Sequence, residues 1–248
     1  MELLSDSGFR QDGRKANDLR RISCRLGVYQ QADGSAYLEQ GQTKVLAAVY
    51  GPHEIRRKGA SGRALPDRAR VNCQYSMATF STGERKVRPR GDRKSREFTQ
   101  HLEKTFDAVI LTTAYPNSQI DIYCEILQAD GGNLSACINA ATLALIDAGV
   151  SMRDYVCSCT SSWSHETPLM DVNHLEESSS GGNVPVVTMA LLPKSEEIVL
   201  LELDSRLHCD NLEKMIDATM KGCKEVYNIL DLAVRNHVAE TMQQLALD

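Results

Sequence analysis

Ile120-Asp-Ile-Tyr-Cys-Glu-Ile-Leu-Gln-Ala-Asp-Gly-Gly-Asn-Leu-Ser-Ala-Cys-Ile-Asn-Ala-Ala-Thr-Leu-Ala-Leu-Ile-Asp-Ala-Gly149 changes period halfway along. Ile120, Ile122, Cys124 and Ile126 alternate with polar neighbours, which predicts a half-buried strand over 120–128. Asp130-Gly131-Gly132-Asn133 then predicts a tight turn, because glycine tolerates the left-handed backbone such turns need. Beyond it, small and apolar residues predict a helix over 134–148 that ends at Gly149. A helix so rich in alanine is expected to pack closely against a sheet.

Upstream the pattern is strand-like. Residues 22–29, 35–40 and 43–50 are short apolar-rich segments separated by Asp33-Gly34 and Gln40-Gly41, and 71–80 alternates apolar with polar residues. A helix is predicted from Ser95 to about Ala114, with Phe98, Leu102, Phe106, Val109 and Ile110 on one face. Downstream, strands are expected near 155–160, 169–173, 184–192 and 198–204, with a polar loop over 176–183. An amphipathic helix from Asn211 to about Leu245 closes the pattern, capped by Asp210 or Asn211. Strands and helices mixed without regular alternation indicate an α+β domain, and no Pro- or Ser-rich linker divides the 248 residues. A single domain is expected.

Composition excludes several classes. No run of eighteen apolar residues is present, so no membrane span is expected, and the acidic N-terminus is not read as a secretory signal. The eight cysteines form no Cys-x-x-Cys pair and are read as reduced core residues rather than a disulfide framework or zinc site. The six histidines are read as neither catalytic nor metal-binding. The net charge of −5 hides an asymmetry: residues 56–96 hold thirteen Lys/Arg against three acids, a local +10 on a body of −15. Such a basic patch on an acidic body suits a localised polyanion contact, although a solvated charged loop has the same composition.

Four segments in order resemble the ribonuclease PH family. They are Arg10-Gln-Asp-Gly-Arg14, Gly34-Ser-Ala-Tyr-Leu-Glu-Gln-Gly41, Thr43-Lys-Val-Leu-Ala-Ala-Val-Tyr-Gly-Pro52, and 121–132 with the helix ending at Asp147-Ala-Gly149. Finer matches at Ala48-Val-Tyr-Gly-Pro-His-Glu-Ile55, Glu84-Arg-Lys86 and Met152-Arg-Asp154 look like the exosome ring subunit that carries the active site in archaeal complexes. The resemblance implies a ribonuclease PH-like fold with mixed sheets packed against helices. It also implies a six-membered ring around an RNA channel, with other ribonuclease PH-like subunits, RNA-binding cap subunits and associated exoribonucleases as partners. Residence in nucleus, nucleolus and cytoplasm is expected on the same ground.

The family reaction is phosphorolysis of the RNA 3′ end, and the resemblance places its carboxylate pair on Glu177 and Asn183. A neutral amide neither transfers the proton nor gives a hard cation an anionic ligand. The phosphate-clamping arginine of active relatives falls on Leu134, which has no charge to offer. Asp171, at a strand end, is read as structural. The expected function is therefore a core ring component without a catalytic residue, metal or cofactor of its own, which supports 3′-to-5′ RNA processing. Arg63, Arg93, Lys94 and Arg96 are expected to hold single-stranded RNA through its phosphates. Two other readings stay open: an active phosphate-dependent exoribonuclease using Glu177, and a free-standing RNA-binding module.

Overall fold

The computed structural model describes residues 4–5, 7–54, 67–85, 92–164, 167–178 and 184–245. The chain runs through β1 (Ile22–Leu26), β2 (Gly34–Gln40), β3 (Thr43–Glu54), β4 (Arg70–Met77), α1 (Arg93–Val109), β5 (Ser118–Gln128) and α2 (Asn133–Asp147). It continues through β6 (Cys157–Ser164), β7 (Thr167–Met170), α3 (His174–Ser178), β8 (Val186–Leu192), β9 (Glu197–Leu203) and α4 (Cys209–Leu245). A short 3₁₀ turn, Thr112–Ala114, follows α1. The fold is α+β, as the mixed pattern implies.

Two sheets result. The first has the order β1-β2-β3-β5-β4, antiparallel except for the parallel pair β4–β5, and the second is the antiparallel β7-β6-β8-β9. The alternation of β5 orients its pairing with β3: Val49 faces Ile122 and Ala47 faces Cys124 in register, and all four side chains are buried. Helix α2 lies between the sheets, in contact with β2, β3 and β5 on one side and with β6 and β8 on the other. Every side chain from Leu134 to Leu145 is buried, which explains why the helix is apolar on all sides. The buried amide of Asn139 donates to the carbonyl of Ser158 and accepts from the same residue's N–H, so it fixes the helix to β6 with its oxygen and its nitrogen both paired. Helix α4 covers β6 and β8 with Met215, Cys223, Val226, Leu230 and Val234 buried, close to the predicted stripe.

Several boundaries differ from the sequence reading. β4 stops at Met77, because Ala78–Ser81 closes a turn that leaves Phe80 exposed. α1 begins at Arg93 on an Asp92 cap rather than at Ser95, and ends at Val109, where the extended backbone of Ile110 breaks it. α4 begins at Cys209: the carbonyl of His208 accepts from Leu212 N–H, so Asp210 is a first-turn acid rather than the cap. The polar loop expected over 176–183 starts as helix α3. Among the described residues no helix is long and apolar enough to cross a membrane, and all eight cysteines are free thiols.

Candidate nucleic-acid and phosphate site

The Asp130-Gly-Gly turn is built by two consecutive left-handed glycines, with φ +80° at Gly131 and +61° at Gly132. Gly132 caps α2 without a side chain, so its N–H and those that follow point outward from the helix's positive end. A Cβ at Gly131 would lie 2.6 Å from the backbone carbon of Asn173, so glycine is also what lets the turn approach the segment carrying α3.

That segment delivers Glu177. Its Oε1 accepts a hydrogen bond of 2.8 Å from Gly132 N–H, so the carboxylate already sits at the helix start where an anion would bind. Burial raises the Glu177 carboxyl above its ordinary value, against the lowering effects of the Gly132 N–H, His174 and Arg20, while Asp204 at the end of β9 raises it further. A carboxyl with a higher pKa folded than unfolded binds a proton on folding, so its charge costs stability as pH rises through and above the ordinary 4.5. Glu177→Gln keeps an oxygen for Gly132 and removes that charge. The variant is expected to melt at a higher temperature than the native chain at pH 7, with the gain shrinking as pH falls through 4.5. A lower melting temperature at pH 7 would show that the charge is stabilising where it stands.

Leu134, one residue into α2, is 4% exposed and belongs to the main apolar core. The position expected to hold a phosphate-clamping guanidinium therefore holds a packed leucine. Asn183 and Arg63 lie outside the described residues. Arg93, Lys94 and Arg96 are placed together on the exposed first turn of α1. Cations at a helix N-terminus face the positive end of its dipole, which costs a few tenths of a kcal/mol each. Asp92 caps that end, its carboxylate accepting the N–H of Arg93.

The arginines that organise the site had no assigned role in the sequence reading. Arg20, 6% exposed, donates to Asp130 O (2.8 Å) and Gly131 O (3.3 Å), and forms a 2.7 Å ion pair with Asp171. Gln40 Nε2 donates to the same carboxylate at 2.8 Å, and Thr43 Oγ1 donates to Gly131 O at 2.9 Å. Asp171 is thus structural, as expected, and holds the turn from beneath. Arg10 and Arg14 of the N-terminal signature donate to backbone carbonyls of Ala16 and Met170, and of Asp18 and Asp171, respectively. Arg10 also pairs with Glu176 at 3.7 Å, so the signature braces the segment that positions Glu177.

A two-sheet α+β fold with a buried arginine hub under a double-glycine turn defines a class. The chain matches the models for the 3′ exoribonuclease family, domain 1 over residues 18–151 and domain 2 over residues 154–222. It belongs to that family, the ribonuclease PH family of the sequence reading. The exosome complex component RRP41 of Mus musculus is 58% identical over 245 residues, covering 99% of this chain and 98% of the relative. Exosome complex component Rrp41 of Methanopyrus kandleri is 40% identical over 225 residues, covering 91% of each. In structure the fold is shared with rice Rrp46 (TM-score 0.78, 23% identity, covering 91% of this chain and 100% of that one). It is shared too with a chain of the Archaeoglobus fulgidus exosome with RNA bound to the active site (TM-score 0.74, 20% identity, covering 90% and 92%).

Proposed function

We propose that this chain is a non-catalytic core subunit of an RNA exosome ring, one that helps to assemble the ring and guides single-stranded RNA towards nucleases held by other proteins. The observation that carries the reading is the packing of Leu134 into the apolar core at the start of α2. Phosphorolysis needs charge neutralisation on the attacking phosphate, and a buried leucine supplies none. Asn183 in the sequence removes the second carboxylate, and the surviving Glu177 is engaged with Gly132 N–H. Its partners on this reading are other ribonuclease PH-like subunits, RNA-binding cap subunits, associated exoribonucleases and the RNA itself. It acts in nucleus, nucleolus and cytoplasm. The names of the similar relatives, exosome complex components, support the assembly.

Arg93, Lys94 and Arg96 hold RNA phosphates on this account, joined by Arg63. Their placement at the unfavourable end of α1 supports a role other than stability. The test is RNA binding by the reconstituted ring, measured against salt. Replacing Arg93, Lys94 and Arg96 by Gln is expected to lower the magnitude of the slope of log K against log salt by about 2, at about 0.7 for each single-strand phosphate that the variant leaves unneutralised. An unchanged slope in an intact ring would remove these residues from the RNA path.

A further inference from the structure

Helix α1 and strand β9 bring together three side chains that no step of the proposed function uses. Glu97 and His101 are one turn apart on the same side of α1, and Glu202 projects from β9. One donor atom from each lies within 4.8 Å of the other two, with His101 Nε2 3.8 Å from Glu202 Oε1. Donors bonded to one divalent ion at about 2.0–2.2 Å stand roughly 3–3.5 Å apart, so the three stand somewhat wider than a bound ion would hold them. The helix that presents two of them is anchored by buried Leu102, Thr105, Phe106 and Val109.

Charge favours an added cation. Burial raises the Glu202 carboxyl, His101 opposes that, and the negative charges of Asp204 and Glu97 raise it again. Three carboxylates thus act on a locus to which the cluster contributes a single imidazole. That imidazole distinguishes the group from an all-oxygen site: one nitrogen with two carboxylates suits first-row transition ions such as Zn²⁺ better than Mg²⁺ or Ca²⁺. Sequence spacing shows only the pair on α1, since Glu202 arrives a hundred residues later through the packing of α1 on β9.

We propose that Glu97, His101 and Glu202 form a binding site for a Zn²⁺-class divalent ion that ties α1, packed on the five-stranded sheet, to β9 of the four-stranded sheet. The ion would bind the folded chain and not the unfolded one, so it would raise stability by mass action. The partly exposed position leaves coordination places for water.

The test uses the full chain, stripped with EDTA and exchanged into chelator-free buffer, with Zn²⁺ titrated by calorimetry and melting followed in parallel. One ion per chain is expected, with a rise in melting temperature that EDTA reverses and that millimolar Mg²⁺ does not reproduce. His101→Ala and Glu202→Gln, checked for native circular dichroism, are each expected to weaken binding at least about tenfold. Cys209→Ser and His208→Ala, which dismantle the exposed His208-Cys209-Asp210 run, are expected to leave it unchanged. Substituted Co²⁺ should show no thiolate charge-transfer band. Absence of binding, equal affinity in the His101 and Glu202 variants, or loss of binding in Cys209→Ser would each overturn the proposal.

Discussion

Asp171→Ala is expected to destabilise the chain by roughly 3–5 kcal/mol, a large share of the roughly 5–15 kcal/mol by which folded domains are stable. Asp171 is fully buried and accepts from Arg20 N–H (2.8 Å), Arg20 Nε (3.0 Å), Arg20 Nη2 (2.7 Å) and Gln40 Nε2 (2.8 Å). It does so from a left-handed backbone, φ +52°, which the surrounding hydrogen bonds hold in place. Alanine leaves the Arg20 guanidinium buried without its ion-pair partner, held only by the carbonyl oxygens of Asp130 and Gly131 and by Thr43 Oγ1. The loss should therefore exceed that of an ordinary hydrogen bond, about 1 kcal/mol. Removing the orphaned charge as well, in Arg20→Met with Asp171→Ala, should recover part of it. Urea denaturation of the native, single and double variants measures both effects. A single-variant loss below about 1 kcal/mol would mean that water or a rearranged loop satisfies Arg20.

Gly34→Ala is expected to cost about 3 kcal/mol or more, at or beyond the upper end of ordinary overpacking. Gly34 opens β2 where the strand crosses the last turn of α2, and a Cβ there would run into Ala144 O, Ala148 N and Ala148 Cβ. Two of those atoms are backbone, so no side-chain rotation relieves the clash, and strand and helix must separate. Since α2 fills the space between both sheets, that separation loosens the core on which the Asp130-Gly-Gly turn stands. Gly83→Ala is the control: nothing lies within 4 Å of its Cβ position, and a change within about 0.5 kcal/mol is expected. Equal urea midpoints for the two variants would show that the strand–helix packing is looser than described.

How much of this was legible in the sequence varies by element. The period change at Asp130 marks β5, the turn and α2 because all three obey local rules: alternation, left-handed glycines and a continuous apolar run. The stripe of α4 is legible for the same reason. Helix α3 is not apolar enough to register by period, but a local signal was there. Asn173 Oδ1 accepts from Glu176 N–H while Glu176 Oε2 accepts from Asn173 N–H, a reciprocal cap written as Asn173-His-Leu-Glu176. The roles of Arg10, Arg14 and Arg20 could not be read locally, because their partners at Met170 and Asp171 lie some 150–160 residues away. At the candidate site family resemblance points to Glu177 and Leu134, and the structure adds what they touch, a backbone N–H in one case and the core in the other.

The most direct test is phosphorolysis of a 3′-tailed single-stranded RNA by this protein, co-expressed with a ribonuclease PH-like ring partner and supplied with phosphate and Mg²⁺. A variant carrying Leu134→Arg and Asn183→Asp runs beside it. The native protein is expected to release no nucleoside diphosphate above background: loss of a positioned acid–base group alone costs about 10²–10⁴-fold, and on the proposed reading Leu134 stands in place of the phosphate clamp. Phosphate-dependent diphosphate release by the native protein, abolished by Glu177→Ala, would contradict the account and make the chain an exoribonuclease in its own right.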